Sequence, residues 1–353
     1  MSTIFRSALL ALTVALAAAC EGSGNRDNGG ADADTDADTD ADTDTDSDTD
    51  ADTDSDSDAD IGCDKMDILF VIDDSGSMAC EQEVLGASFP GFVQVLEEYN
   101  NANADQVSYR VGVTSTGRTL NYTIDAPPIG PIDPPPIPIS EPDLDGDLVD
   151  VGGQKWIDGP GDTAAITAAF SEAASLGTGG TSFEMPLECM REALDKDAPG
   201  GDNEGFLRED SLFIAVVITD EDDCSRTDND FTISHDQCMT DAEHPPEEVL
   251  VPLQEFKDYL DGRFGGPERW VFVTISGATD CEATSWASSS CDTEDPYAGA
   301  FESVRLIDWM NNYVGVGEGD NGVFADICTT SFPDALADAL AKMEVACDEF
   351  VIE

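Results

Sequence analysis

Apolar runs and segments of helical periodicity alternate along most of the sequence. Continuous apolar runs, typical of strands buried on both faces, stand at 68–72 and 211–219. The predicted strands are 68–72, 109–114, 211–219, 270–275 and 323–327. The predicted helices are 81–99, 184–194, 249–260, 297–313 and one capped by Ser331 with Asp334. Alternating strands and helices predict a doubly wound α/β fold: a mostly parallel sheet with helices on both faces.

The N-terminal segment has the pattern of an export signal. Arg6 is the only charged residue before an apolar stretch at 8–19, which is too short to span a bilayer. The small residues at 17–19 lead directly into Cys20 and resemble a bacterial lipobox. The resemblance implies a signal peptide at 1–19 and a lipid-bearing Cys20. An ordinary secretory signal beside an accidental cysteine is the alternative.

A low-complexity segment separates this signal from the rest of the chain. Every second residue from Asp32 to Asp60 is aspartate, and only Ala, Thr and Ser stand between them. Aspartate is a poor strand former and the like charges repel, so 20–62 is predicted to be an extended, disordered stalk. Specific calcium loops are the alternative, but the turn glycine and closing glutamate of such loops are missing. Diffuse counterion binding is expected instead.

Charge and cysteine content narrow the class of protein. The formal net charge is −61, which repels phosphate backbones, so nucleic acid is excluded as a partner. No CxxC pair occurs, and cysteines in an exported chain favour disulfides over metal sites. Once Cys20 is assigned to lipid, an odd number remains, so one is free or pairs between chains. These cysteines are Cys63, Cys80, Cys189, Cys224, Cys238, Cys281, Cys291, Cys328 and Cys347.

Polar residues with metal-binding chemistry follow the predicted strands. Asp73-Asp74-Ser75-Gly76-Ser77 comes after the first apolar run, Gly179-Gly180-Thr181 precedes a helix, and Thr219-Asp220 ends the second apolar run. Ligands of such sheets bind beyond the carboxyl ends of the strands. Together the three loops resemble the metal-ion-dependent adhesion site of von Willebrand factor A domains. The resemblance covers roughly 65–347 and predicts one A-like domain with loop insertions at 63–353.

The resemblance implies a specific ligand set and a role for it. The implied metal ligands are Asp73, Ser75, Ser77, Thr181 and Asp220. Two carboxylates and three hydroxyls form a hard oxygen site suited to Mg²⁺, with Mn²⁺ or Ca²⁺ as alternatives. The set leaves room for an outside ligand, so an acidic side chain of a protein partner would complete the shell.

Other segments depart from the family pattern. The third loop continues as Glu221-Asp222-Asp223-Cys224, whose extra carboxylates either assist cation capture or face solvent; solvent is favoured. The segment 143–150 is interpreted as an acidic turn rather than a calcium loop. The Pro-rich stretch 126–142 predicts an extended surface insertion. His235 and His244 are predicted to be surface residues.

The resemblance also suggests disulfides. Cys63–Cys347 is predicted because the two ends of the domain commonly lie close together in this family. Cys80–Cys189 would tie two helices that follow metal loops. Cys224–Cys238 and Cys281–Cys291 would close short loops, leaving Cys328 unpaired.

Enzyme signatures are missing from the sequence. There is no Gly-x-Ser-x-Gly elbow, phosphate loop or dinucleotide fingerprint, and a metal-dependent hydrolase would need a base and an open water-activating site. The favoured hypothesis is a non-enzymatic adhesion module, exported and lipid-anchored in the bacterial cell envelope, at the outer membrane or cell surface. It would grip a protein ligand through a divalent metal. The alternative is a structural envelope lipoprotein whose metal site only stabilises the fold.

Overall fold

The computed structural model describes residues 63–102, 107–124, 134–181, 183–226, 249–282, 284, 299–317 and 319–350. Its strands are β1 (Lys65–Ile72), β2 (Ser108–Ser115), β3 (Leu120–Ile124), β4 (Ile137–Glu141), β5 (Ile157–Gly159), β6 (Leu212–Ile218), β7 (Trp270–Ser276) and β8 (Gly322–Asp326). Six of them form one sheet in the order β5-β2-β1-β6-β7-β8. All neighbours in it are parallel except β5, which runs antiparallel to β2.

Helices cover both faces of this sheet. They are α1 (Ala79–Ala102), α2 (Thr163–Ala173), α3 (Pro186–Asp195), α4 (Leu253–Phe264), α5 (Val304–Trp309) and α6 (Phe332–Asp348). Successive residues of a strand point to opposite faces. Ile68 and Phe70 of β1 pack in one apolar core with α1, α2 and α6, and Leu69 and Val71 pack in a second core with α3, α4 and α5. The predicted doubly wound α/β fold is confirmed.

Local capping explains where the helices begin and end. Ser331 accepts a hydrogen bond from the Asp334 amide, which confirms the predicted start of the last helix. Helix α4 starts after Pro252, not at 249, and ends at Gly265, whose φ of 91° is left-handed. Helix α5 starts after Ser303 and continues as a π-helical turn, Met310–Val314. Part of the helix predicted at 297–313 lies outside the described residues.

The region between β2 and α3 is more regular than its sequence pattern indicated. It contains α2, the short edge strand β5, and the hairpin formed by β3 and β4. Residues 137–141 of the Pro-rich insertion form β4, which pairs with β3 outside the main sheet. The insertion is therefore partly a β-ribbon.

Two disulfides lie within the described residues. Cys63–Cys347 joins the start of β1 to the end of α6 with a Cα–Cα distance of 4.8 Å, as predicted. Cys281 pairs with Cys328 at 6.1 Å, so the predicted Cys281–Cys291 bond and the unpaired Cys328 are wrong. The reason is that these cysteines follow β7 and β8, which are adjacent parallel strands and leave the sheet at the same edge.

The predicted Cys80–Cys189 bond is also wrong, because Cys189 is a free, buried thiol. Helices α1 and α3 cover opposite faces of the sheet, so a bond between them would have to cross it. The Cys189 thiol instead donates to the Thr116 and Gly117 carbonyls at 3.1 and 3.3 Å. Cys224 is disulfide-bonded, and its predicted partner Cys238 lies outside the described residues.

Several predictions concern other residues that the structure does not describe. They are the signal peptide at 1–19, Cys20 and the stalk at 20–62, together with Cys291, His235 and His244. Within the described ranges, no helix has the length and apolar character needed to cross a bilayer. Disulfides persist mainly in oxidising compartments, so those found here support export.

Candidate metal centre

The first loop turns sharply after β1 and presents its polar side chains inward. Asp73 is fully buried and accepts a 2.8 Å hydrogen bond from the amide of Ser75, two residues on. This local bond is the turn-forming pattern typical of aspartate. The hydroxyls of Ser75 and Ser77 lie 2.8 Å apart. Three of the predicted ligands are therefore adjacent at the entrance to α1.

The second loop lies directly against the first. The Gly180 amide donates to the Asp74 carbonyl at 2.8 Å. A Cβ at Gly180 would lie 2.2 Å from Asp74 Oδ1, so only glycine permits this approach. The next residue, Thr181, is 3% exposed, and its hydroxyl oxygen has no hydrogen-bond partner among the described residues. The close approach of the loops thus places an unused hydroxyl beside the first loop.

The third loop follows β6, the sheet neighbour of β1. Asp220 is 1% exposed; its Oδ1 accepts a 3.2 Å bond from the Ser77 hydroxyl, and its Oδ2 has no partner in the described part of the chain. The Thr219 hydroxyl donates to Asp73 Oδ2 at 2.7 Å. The structure therefore brings all five predicted ligands to one edge of the sheet.

The buried acids of this edge hold their protons more tightly than usual. Burial raises the pKa of Asp73 to about 6 against hydrogen bonds that lower it. Burial, followed by the charge of Asp73, raises the pKa of Asp220 well above its usual value. Asp74 is raised to about 7 by burial and by the neighbouring Asp143. Burial is the largest cause of all three shifts, and the neighbouring carboxylates add to it.

The donor set fits a divalent metal. Two buried oxygens, Thr181 Oγ1 and Asp220 Oδ2, have no partner within the described ranges, although buried polar atoms nearly always have one. In the described part of the chain, no three Asp, Glu, His or Cys side chains are placed to bind a metal by themselves. The site therefore depends on its hydroxyls and on water, as hard cations such as Mg²⁺ allow.

Two further acids of this edge were not identified from the sequence. Glu184 is 1% exposed, and among the described residues neither of its carboxylate oxygens accepts from an N–H or hydroxyl donor; the side chain beside it is another acid, Glu221. Burial, and then the charges of Asp73 and Glu221, raise its pKa well above the usual value. Asp143 accepts bonds from the Thr181 amide at 3.0 Å and from the Ser115 hydroxyl at 2.5 Å. It therefore ties the second loop to the end of β2.

The acidic segment 143–150 is a turn, in agreement with the favoured interpretation. Its carboxylates are used within the protein: Asp145 accepts from the Thr119 amide and hydroxyl, and Asp147 pairs with Lys196 at 2.6 Å. Asp145 and Gly146 have positive φ angles of 51° and 79°, as a tight turn requires.

The expectation that the third-loop acids face solvent is wrong for Asp222 and Asp223. Asp222 accepts from the amides of Arg305 and Leu306 and so satisfies the free N–H groups at the start of α5. Burial raises its pKa to about 6. Asp223 is fully buried and pairs with Arg305 Nε at 2.7 Å. Both acids hold the loop to α5, because the N–H groups at a helix start and a partly buried arginine need acceptors.

Comparisons with known proteins give structural neighbours only. Neither a protein-family model nor a curated protein matches the sequence. The chain is similar, at 13% identity, to proximal thread matrix protein 1 from the mussel byssus (TM-score 0.35; 81% of this chain and 49% of that chain covered). It is similar at the same identity to the pilus adhesin SpaC from Lactobacillus rhamnosus GG (0.37; 80% and 30%). A third neighbour is a von Willebrand factor type A protein from Catenulispora acidiphila (13% identity, 0.31; 80% and 42%).

This chain spans less than half the length of each of these three proteins. A further structure of the mussel protein has zinc in its metal-ion-dependent adhesion motif. At such low TM-scores, the fold assignment rests on the sheet order and on the three loops described above.

Proposed function

We propose that this chain is a binding module of the von Willebrand factor A type that grips a protein ligand through a divalent cation, most favourably Mg²⁺. The observation that carries the proposal is a pair of buried oxygens, Thr181 Oγ1 and Asp220 Oδ2, that have no partner among the described residues and lie beside Asp73, Ser75 and Ser77. A cation bound there would keep an open position toward solvent. An acidic side chain of the partner would fill that position. The proposal assigns no catalysis to the site.

An exposed apolar rim beside the site supports a protein partner. Phe301 is 65% exposed and its amide donates to the carbonyl of Asp220 at 2.9 Å. Val304, three residues later, is 60% exposed. The Ser303 hydroxyl between them donates to the Glu221 carbonyl. Apolar side chains fixed to a metal loop are contacts that a protein ligand can bury.

Attachment to the envelope forms the second half of the proposal. The lipobox-like sequence ending at Cys20 would anchor an exported chain, with the Asp-rich segment as spacer. Mass analysis of the mature protein should find a lipid-modified Cys20 at its N-terminus. A Cys20→Ser protein should be released from membranes, and retention of that variant in the membrane fraction would contradict the anchor.

The binding role is tested by crosslinking on intact cells that display the full chain. Wild type is expected to crosslink to a protein partner in Mg²⁺ and to lose it in chelator, whereas Asp73→Ala captures it in neither condition. The matched control is Asp258→Ala, which removes an exposed aspartate from the middle of α4. Crosslinking that is equal in wild type and Asp73→Ala would overturn the proposal. If both proteins lack the partner while wild type binds the ion, the cation only stabilises the fold.

A further inference from the structure

Glu184 occupies a fixed position between the second and third metal loops. Its own carbonyl accepts a 2.7 Å bond from the Cys224 amide, and the next amide, that of Met185, donates to the Thr116 carbonyl at 2.8 Å. These bonds attach the backbone on both sides, to the loop after β2 and to the third metal loop. The side chain therefore has a defined direction.

Among the described residues, no cation or hydrogen-bond donor balances the buried carboxyl group of Glu184. Glu184 is 1% exposed, and within the described ranges neither of its oxygens accepts a hydrogen bond from an N–H or hydroxyl group and no Lys or Arg pairs with it; its hydrogen-bonding neighbour is another acid, the carboxyl of Glu221. The acids that act on it most strongly are Asp73, Glu221 and Asp220. A buried carboxylate surrounded by other carboxylates is unfavourable unless a cation or hydrogen-bond donor joins it. Glu188, four residues later, has such a partner, since Arg191 lies 2.5 Å from its carboxylate.

We propose that Glu184 is a positioning residue of the metal centre whose carboxylate accepts hydrogen bonds from water molecules bound to the cation. The inference rests on the proposed metal site at Asp73 and Asp220. Contact through water is favoured because, among the described residues, no three carboxylates are placed to bind one ion directly. Mg²⁺ also usually keeps several of its waters.

The position of Glu184 lets it strengthen the binding of the cation without interfering with the binding of the partner. Because it is buried, Glu184 acts on the cation from the protein interior and leaves the solvent side open for a ligand. Its carboxyl group is a further oxygen donor set beside those of Asp73 and Asp220. Groups in this outer position typically change metal affinity by about 10- to 100-fold. Glu184 thus sets how firmly the ion is held without occupying the partner's place.

The test compares Glu184→Gln with Glu188→Gln in the full chain by Mn²⁺ and Mg²⁺ titration calorimetry. Glu184→Gln should raise the Kd for Mn²⁺ by about 10- to 100-fold. Glu188→Gln, a buried glutamate on the same segment that has an arginine partner, should leave the Kd unchanged. Melting adds a readout that a structural role would not produce. Without metal, Glu184→Gln should melt higher than wild type because repulsion is removed, whereas Glu188→Gln should melt lower.

An unchanged Mn²⁺ affinity in Glu184→Gln, with normal binding by wild type, would overturn this inference and leave the proposed function intact. A variant that melts lower than wild type both with and without metal would also overturn it, since Glu184 would then be an ordinary structural residue. Failure of wild type itself to bind Mn²⁺ would overturn the proposed function, and the inference with it.

Discussion

Strand β1 has a buried aspartate near each end, and the two aspartates have very different hydrogen-bond and ion-pair partners. Asp67, near the start, is fully buried and pairs with Arg208 at 2.7 Å; it also accepts from the Arg208 amide and the Ser211 hydroxyl. Asp73, just after the end, is equally buried, and its partners are neutral groups: the amide and hydroxyl of Ser75 and the hydroxyl of Thr219. In the described part of the chain, no basic side chain pairs with Asp73.

The difference separates an acid that the protein balances with its own arginine from one that is free to serve the proposed metal ion. At the amino end of the sheet, the chain supplies the cation itself as an arginine, and the buried charge is balanced. At the carboxyl end, Asp73, Asp220 and Glu184 are buried together with no such partner among the described residues. Burial of unbalanced charge is costly, and it is retained where an ion from solvent can complete the site.

The largest loss of stability is expected at the amino end of β1, where Arg208 balances the charge of Asp67. Asp67→Ala would leave the Arg208 guanidinium partly buried without its acid, which typically costs about 3–5 kcal/mol. Denaturant unfolding should find this loss in the presence and absence of Mg²⁺ alike. The exposed Asp258→Ala control should change stability by less than about 0.5 kcal/mol. A comparable, small change in both variants would mean that the ion pair contributes little.

At the carboxyl end of β1, the free energy of unfolding should depend on the divalent ion instead. Wild type should gain about 4 kcal/mol of unfolding free energy at an Mg²⁺ concentration a thousand times Kd, because the ion binds only the native state. Asp73→Ala should gain almost nothing, although it should fold, since the residue lies at a strand end. Melting with Mg²⁺ and with chelator measures both. An equal ion-induced shift in the two proteins would assign the effect to the acidic surface in general.

The buried acids at the carboxyl end of β1 should make the stability of the metal-free protein depend on pH. Burial raises the pKa of Asp73 from 3.8 to about 6, and burial with the charge of Asp73 raises that of Asp220 well above its usual value. At pH values between the ordinary pKa of the unfolded chain and the raised pKa of the native state, the native state binds more protons than the unfolded chain. Stability should therefore fall as pH rises from about 4 to about 7, by on the order of 2 kcal/mol.

Saturating Mg²⁺ should remove much of this fall, because the ion binds the ionised carboxylates. Denaturant unfolding of wild type across the pH range, with chelator and with Mg²⁺, measures the effect. Asp73→Asn should reduce the metal-free slope. Identical slopes in wild type and Asp73→Asn would show that other acids cause the pH dependence.

The sequence was sufficient for the parts of this molecule that are locally encoded. Apolar runs located the central strands, and the five predicted ligands stand directly after strands or before a helix. Helix α2 was missed, although Asp162 caps it and Ile166 and Phe170 share its buried face, because its alanine-rich pattern is weak. The error at Cys189 arose because sequence spacing does not reveal which face of the sheet a helix covers.

The role of Glu184 could not be predicted for a related reason. Nothing in its sequence neighbourhood distinguishes it from Glu188, which has an arginine partner one helical turn from its own position. Its position depends on two backbone hydrogen bonds to segments distant in the chain, from the Cys224 amide to its own carbonyl and from the Met185 amide to the Thr116 carbonyl. Only the folded arrangement reveals a carboxylate that is both enclosed and unbalanced.

The smallest effect is expected from the neutral ligands at the unbalanced end. Ser77→Ala removes one hydroxyl ligand and the 3.2 Å bond that orients Asp220 Oδ1, but water can partly replace both. We expect a loss of about tenfold in Mg²⁺ affinity, or about 1.4 kcal/mol, well below that of Asp73→Ala. Ser75→Ala should have a similar effect, since its hydroxyl bonds to that of Ser77. Titration calorimetry checks both, with Ser77→Thr as the control that keeps a hydroxyl at this half-buried position. A Ser77→Ala protein with wild-type affinity would remove this side chain from the ligand set, whereas a loss as large as that of Asp73→Ala would mean that the hydroxyl, rather than charge, controls the binding of the cation.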